Sequence, residues 1–321
     1  MKKTEDEKMI YGRATNKNEV VSFPTGEIRY RLTNDYLFHI VFQRNLEALS
    51  HLIALVTGVP RSDIKSVKVE NVLEPGKDID AKSCVLDVKV TMNDDTILDL
   101  EMQVEDYGNW TERSLTYLCR MYDNLSKGQD YKEVKKAIHI GFLDYHLKGF
   151  KERFRSEYLM TERETGQVYS SKFQLFVIDL KTLDDKQYMV SEKERELYEF
   201  AKIFKAKTWE EVREMAENSK VIDGILFTWR EATEDEKVQD AIEARRRYEW
   251  DKASARQMGI EEGMALGLER GIEQGIEQGI DVHLREQIQK KLAKGKSVDV
   301  IADECEISVE EAERLVNEIQ G

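Results

Sequence analysis

A nine-residue segment of alternating polar and apolar residues constrains the fold of this sequence more than any other feature. Over residues 96–104 the side chains repeat with a period of two, as in a β-strand. One side carries apolar residues and the other mainly polar ones: Leu98, Leu100, Met102 and Val104, against Ile97, Asp99, Glu101 and Gln103. Residues 86–90 sort in the same way, with Asp87 and Lys89 on the polar side. Because only a short turn separates the two segments, they predict a β-hairpin with one apolar and one polar face.

The polar face of this hairpin predicts a metal site. Side chains on neighbouring strands lie within about 5 to 8 Å of each other, so Asp87 and Glu101 can share a divalent cation through their carboxylate oxygens. The backbone carbonyl of Met102 is a further candidate ligand, and Gln103 faces the same side, where it could orient a water molecule. Such a cation suits phosphodiester hydrolysis, because it activates water and stabilises negative charge on phosphate. The alternative is an ordinary polar face of a half-buried sheet that is exposed to solvent.

Composition bounds the class of protein. The chain has 321 residues, 40% of them hydrophobic, and contains no run of about 18 apolar residues, so we expect a soluble protein without a membrane partner. Three cysteines without pair-like spacing and an N-terminus without a secretion signal favour the cytoplasm. A formal net charge of -14 argues against non-specific wrapping of nucleic acid. It does not exclude a nuclease, because a bound cation reverses the field that a phosphate meets.

The order of the remaining elements predicts an α/β fold with a mixed central sheet flanked by helices. Residues 1–26 are polar and without periodicity, which predicts a mobile N-terminal arm, and residues 27–250 form the predicted main domain with a helical extension. The predicted elements are one helix from Asn34 to Val56, a strand over residues 64–73, the hairpin, a helix over residues 111–125, strands over residues 136–143 and 173–180, and helices over residues 192–204 and 209–219.

The C-terminal region differs in composition. From Gly259 to Gly279 a glycine recurs at every fourth residue, and each costs a helix about 1 kcal/mol relative to alanine. Residues 251–282 therefore form either a flexible, partly helical linker or an oligomerisation helix that packs closely against another helix. Residues 283–321 predict a small helical tail with a helix, a tight turn and a second helix. We favour an interaction module over a DNA-reading helix-turn-helix, since carboxylates at the start of the second helix would repel phosphate.

Other candidate residues have two interpretations each. Asp35, at the start of the first helix, is either a third acidic metal ligand or a helix cap. Arg113 and Tyr117, one helical turn apart, either bind phosphate or, in the case of Arg113, form a structural ion pair with Glu101 or Asp99. The histidines are scattered and predict no histidine metal site, and the tryptophans are expected to pack in the interior.

These residues together resemble a known nuclease group. Leu86-Asp87, thirteen intervening residues and Glu101-Met102-Gln103, between a leading and a following helix, resemble the PD-(D/E)XK nuclease superfamily. The pattern is more specifically similar to the Rpn family of recombination-promoting nucleases, also called putative transposases. The further points of resemblance are Asn34 to Phe38, Arg113, Tyr117 and the glycine-repeat tail. The resemblance implies a restriction-endonuclease-like core that binds Mg²⁺, or another divalent cation such as Mn²⁺, through Asp87 and Glu101.

One position departs from the superfamily pattern. The usual lysine two residues after the second acid corresponds to Gln103, whose amide can form hydrogen bonds but carries no charge. Lys89 projects from the same face as Asp87 and is a candidate for the missing cation. We therefore expect a metal-dependent DNA endonuclease, acting as a homodimer or higher homo-oligomer. The alternative is a catalytically weak DNA-binding or regulatory adaptor that acts through its helical tail.

Overall fold

The computed structural model describes residues 24–71, 88–93 and 95–320, with the side chain of residue 320 excepted. Three sequence predictions therefore lie wholly or partly outside the described residues. They are the N-terminal arm apart from its last three residues, the last two residues of the strand predicted over residues 64–73, and the start of the hairpin with Asp87. The backbone N–H of Gly26, at the end of that arm, donates a hydrogen bond to the Glu210 carboxylate.

The first helical segment is two helices, which corrects the prediction of one. Helix α1 spans Asp35–Arg44 and α2 spans Leu46–Thr57. Asn45 lies between them with a non-helical backbone (φ −126°, ψ 80°), and its side-chain oxygen accepts a hydrogen bond from the N–H of Ala48. Asparagine competes in this way with the backbone bonds of a helix, so it ends α1 and caps α2 at once. Periodicity of the apolar residues continues across the break and conceals it.

Six strands of the described chain form one mixed sheet, which confirms the predicted fold class. They are β1 (Val67–Val69), β2 (Val88–Met92), β3 (Thr96–Gln103), β4 (Lys136–Leu143), β5 (Arg155–Thr161) and β6 (Val168–Asp179). Their order in the sheet is β1-β2-β3-β4-β6-β5, with β3, β4 and β6 parallel to one another and the other pairs antiparallel. The sequence did not predict β5, because this edge strand is half exposed and shows no clean alternation.

Helices cover both faces of the sheet. Helices α1, α2, α4 (Arg195–Lys205), α5 (Trp209–Glu217) and α6 (Lys220–Glu234) contribute to the main core on one face, which includes Leu98 and Leu100. On the other face, α3 (Trp110–Tyr122) forms a smaller core with residues of β4 and β6. The polar side of β3 lies on this second face. Asp99, Glu101 and Gln103 are therefore buried, and the alternative of an exposed polar face is wrong for them.

The C-terminal part of the chain forms a second compact unit, which begins at Tyr248. Helix α7 (Glu236–Leu292) runs without interruption through the glycine repeat, and α8 (Val298–Cys305) and α9 (Val309–Gln320) follow it. A small core joins the end of α7 to the last two helices: Ile288, Ile301, Leu315 and Val316. The predicted helix, tight turn and second helix are present. No helix within the described ranges is long and apolar enough to cross a membrane.

Candidate active site

Glu101 is the centre of a buried polar cluster between β3 and α3. Its Oε1 lies 2.6 Å from a terminal nitrogen of Arg113, whose side chain is 38% exposed. Its Oε2 is buried and has no hydrogen-bond partner in the described parts of the chain. Burial raises the pKa of Glu101 above its ordinary value, and the positive charge of Arg113 opposes this rise. One oxygen of the Glu101 carboxylate therefore contacts the Arg113 guanidinium, and the other has no hydrogen-bond partner in the described chain.

His139, on β4, lies beside the free oxygen of Glu101. Its Nε2 is 3.7 Å from Glu101 Oε2, and its Nδ1 lies 3.0 Å from Asp99 Oδ2. A carboxylate accepts but does not donate, so Nδ1 carries a proton and donates it to Asp99. The indole of Trp110 stacks on the His139 ring at 5.5 Å between centroids, and the Tyr117 ring meets its edge at 6.0 Å. The imidazole is thereby held on three sides.

Gly141 makes room for the tryptophan that covers the cluster. It pairs with Glu101 in the parallel β3–β4 ladder. A Cβ atom at this position would lie 2.1 Å from the ring of Trp110, so the indole rests directly on the glycine backbone. The packing role expected of the tryptophans is thus confirmed for Trp110, which is 3% exposed.

The cluster holds several buried polar atoms that lack hydrogen-bond partners among the described residues: Glu101 Oε2, Gln103 Oε1, Trp110 Nε1, His139 Nε2 and Tyr145 Oη. Such atoms are rare in folded proteins and require an explanation, for example a functional group that awaits an ion, water or substrate. Gln103 uses only its amide nitrogen, which donates to the backbone oxygen of Glu105 at 3.0 Å. Burial and the nearby charges of Asp106 and Glu101 raise the pKa of Tyr145.

The structure places the other predicted site residues as follows. Lys89 pairs with Asp99 in the antiparallel β2–β3 ladder and is exposed, on the same side of the sheet as Asp99. Val88, the neighbour of Asp87, pairs with Leu100, the neighbour of Glu101. Tyr117 lies under the guanidinium of Arg113, 5.1 Å from carbon to ring centroid. The side chain of Met102 belongs to the main core on the opposite face.

Asp35 is engaged elsewhere. Its Oδ2 lies 3.0 Å from Nε of Arg245, and its Oδ1 accepts a hydrogen bond from the N–H of Tyr36. The N-cap of α1 is Asn34, whose side chain accepts from the N–H of Leu37. Helix α1 contributes to the main core with Leu98 and Leu100, on the face of β3 opposite to Glu101. The structure therefore does not bring Asp35 together with the Glu101 cluster.

Sequence reasoning missed the part of His139 in this cluster. The histidine lies in the middle of a strand that the sequence itself predicts to be buried, and a buried polar side chain needs a partner. A histidine within a predicted buried strand thus indicates a hydrogen-bonded polar cluster, but the sequence does not identify the partner. Asp99 is 40 residues away in sequence and meets His139 only because β3 and β4 pair in parallel.

Only part of the expected set of metal ligands can be examined, because Asp87 lies outside the described residues. A buried, unpartnered carboxylate oxygen is a ligand that hard divalent cations prefer, so Glu101 fits a metal site. Within the described residues no group of three or more His, Cys, Asp or Glu side chains forms a metal site by itself. Arg113 and Tyr117, at the exposed side of the cluster, add a guanidinium of the kind that binds phosphate.

The family comparison agrees with this arrangement. The family model described as PD-(D/E)XK nuclease family transposase matches residues 32–259. The chain belongs to this family. The match runs from before α1 into α7 and includes the whole Glu101 cluster, so the resemblance recognised from the sequence is confirmed. Neither a curated protein nor a solved structure matches the chain significantly.

Proposed function

We propose that this PD-(D/E)XK nuclease family transposase is a divalent-metal-dependent DNA endonuclease that hydrolyses phosphodiester bonds. One observation carries the proposal. The acidic residue at the second position of the family pattern, Glu101, has a buried oxygen without a partner in the described chain and a raised pKa. A protein rarely buries an unpaired carboxylate oxygen without a functional reason.

In this proposal Asp87 and Glu101 hold the cation, Mg²⁺ or Mn²⁺, with the backbone carbonyl of Met102 as a further ligand. A divalent cation supplies an activated water and neutralises charge on the phosphate. Gln103 orients the attacking water through its buried Oε1, since its nitrogen is already committed to Glu105. Lys89, exposed on the same side of the sheet, supplies the positive charge of the superfamily lysine.

The proposed substrate approaches from the side of α3 where the side chain of Arg113 is partly exposed. Arg113 contacts Glu101 Oε1 and reaches solvent, so it connects the buried carboxylate with the surface. We propose that its guanidinium binds a DNA phosphate, with Tyr117 supporting it from below.

We propose that the active form is a homodimer or a higher homo-oligomer located in the cytoplasm. Two subunits related by a two-fold axis match the symmetry of duplex DNA and cleave both strands. The glycine repeat leaves room for a second helix to approach closely, since no atom of the described chain lies within 4 Å of a Cβ built at Gly259 to Gly279.

A test of the nuclease proposal compares Glu101→Gln with the wild type in nicking of supercoiled plasmid at increasing Mg²⁺. We expect Glu101→Gln, and likewise Asp87→Asn, to lower the nicking rate by at least about 100-fold, because each removes one carboxylate of the pair. Glu214→Gln, which makes the same change at an exposed position, should match the wild type. Equal nicking by all variants would contradict the proposal.

The second candidate function, an adaptor without cleavage, is favoured by the amide at Gln103 in place of lysine. Titration calorimetry with Mg²⁺ and Mn²⁺ separates the two functions. Binding that disappears in Glu101→Gln supports the enzyme. A wild-type chain that binds DNA but no cation at millimolar concentration supports the adaptor.

A further inference from the structure

The nitrogen Nε2 of His139 faces the free oxygen of Glu101 and has no other partner in the described chain. The 3.7 Å between these two atoms is too long for a hydrogen bond. It is shorter than about 4.2 Å, the largest separation of two atoms that each lie about 2.1 Å from one cation. The pair thus has a spacing that one metal ion can bridge.

The surroundings of His139 prepare it as a metal ligand. Metal-binding histidines usually donate their other ring N–H to a carboxylate or carbonyl, which fixes the tautomer and the ring orientation. Asp99 accepts the Nδ1 proton at 3.0 Å, so Nε2 keeps a lone pair when the ring is neutral. Stacking on Trp110 and the edge of Tyr117 fix the plane of the ring.

The Glu101 side chain also has a fixed orientation. Arg113 occupies Oε1 at 2.6 Å, which leaves Oε2 as the coordinating atom and fixes its direction. Asp99 and Glu101 bring two carboxylates to the cluster, within hydrogen-bond distance of His139 and Arg113 respectively. A divalent cation between Oε2 and Nε2 would interact favourably with both carboxylates.

We propose that His139 Nε2 and Glu101 Oε2 together bind the divalent cation of the site, which makes the ligand set a mixed nitrogen and oxygen one. The proposal rests on the proposed nuclease function, and it adds a ligand that the family pattern does not contain. Magnesium prefers oxygen ligands, whereas imidazole favours transition-metal ions. We therefore infer that His139 strengthens the binding of Mn²⁺ relative to an all-oxygen site, and that it strengthens the binding of Mg²⁺ less.

His146 provides a matched control. Its Nδ1 lies 2.8 Å from Asp179 Oδ2, so it has the same carboxylate–imidazole pairing as His139. Its side chain is 37% exposed, and its Nε2 faces Glu152, 3.9 Å away. A His146→Gln variant therefore removes an equivalent imidazole from outside the Glu101 cluster.

The test is pulsed electron paramagnetic resonance of Mn²⁺ bound to the full chain, which detects a directly coordinated ¹⁴N nucleus. We expect nitrogen modulation in the wild type and in His146→Gln, and its loss in His139→Gln. Calorimetry should show that His139→Gln weakens Mn²⁺ binding by about 10-fold or more and Mg²⁺ binding less. Asp99→Asn, which leaves the imidazole but replaces its charged acceptor with a neutral amide, should weaken Mn²⁺ binding by about 10- to 100-fold.

The outcomes separate this proposal from the nuclease proposal. Bound Mn²⁺ without nitrogen modulation in the wild type overturns the role of His139, whether or not the His139 variant folds. If plasmid nicking and its dependence on Glu101 persist in that case, the nuclease proposal stands. Persistent modulation in His139→Gln also overturns the role of His139. A wild-type chain that binds Mg²⁺ but no Mn²⁺ overturns the role of His139 alone, and one that binds neither cation contradicts both proposals.

Discussion

At the scale of single residues, the cluster around Glu101 shows how a hydrophobic contact can shape a polar site. The side chain of Trp110 occupies space that only a glycine at position 141 leaves open. The same indole stacks on His139, whose Nε2 faces Glu101. The orientation of the imidazole therefore depends on a packing contact as well as on its bond to Asp99.

We expect Gly141→Ala to destabilise the chain and to disturb the site. The new methyl group would lie 2.1 Å from the Trp110 ring, so the indole must shift, at a cost of about 1 to 3 kcal/mol in the free energy of unfolding. Urea denaturation followed by tryptophan fluorescence measures this loss. Gly259→Ala, where the Cβ meets no atom of the described chain within 4 Å, should instead leave the stability of the main core unchanged. Equal stabilities of the two variants would contradict the packing argument.

At the scale of elements, an exposed ion cluster joins α8 to the end of α7. Glu304 of α8 accepts hydrogen bonds from Lys291 of α7 and from Lys296 in the connecting turn. These hydrogen bonds lower the pKa of Glu304 to about 2. The ion cluster lies beside the small core around Ile288 and Ile301 and adds a pH-dependent contribution to its stability.

The pH dependence of this contribution has a definite sign. Because the folded pKa lies below the unfolded one, the stabilisation is complete above the ordinary glutamate pKa of about 4.3 and is lost as the pH falls towards 2. Glu304→Gln should therefore lower the thermal unfolding midpoint at pH 7, and its difference from wild type should shrink between pH 5 and 3. Circular dichroism measures the midpoints, with Glu313→Gln as the control. A difference that does not change with pH would refute the assignment.

At the scale of the whole molecule, the main core extends beyond α6 into the first turns of α7. Val238, Ala241 and Ile242 of α7 are buried in it, and Arg245 pairs with Asp35. The first compact unit ends at Arg247, close to residue 250, where we propose that the nuclease domain ends. The second unit has a core of its own.

A truncation series tests this division. We expect a fragment ending at residue 247 to keep the unfolding midpoint of the main core, because it retains every residue buried there. A fragment ending at residue 234 loses Val238 and Ile242, which contribute about 1.5 to 3 kcal/mol each when fully buried. Urea denaturation followed by tryptophan fluorescence compares the two fragments, which keep the same three tryptophans. If both fragments unfold at the same urea concentration, α7 does not belong to this core.

The sequence by itself determined the alternation of β3, the bounds of β4, the mixed α/β class and membership of the nuclease family. These properties follow from short-range periodicity and from local motifs, which are visible without knowledge of the fold. The break at Asn45 is also local, but a continuous apolar stripe conceals it.

Only the tertiary structure decided that α3 covers the polar face of β3, that His139 meets Glu101, and that Asp35 pairs with Arg245 instead of joining the cluster. The physical reason is the same in each case. The period of a strand or helix shows which side chains share a face, but the element that packs on that face comes from a distant part of the chain. The partner of a buried charge is therefore determined by which residues the pairing of strands and the packing of helices place within hydrogen-bond distance of it.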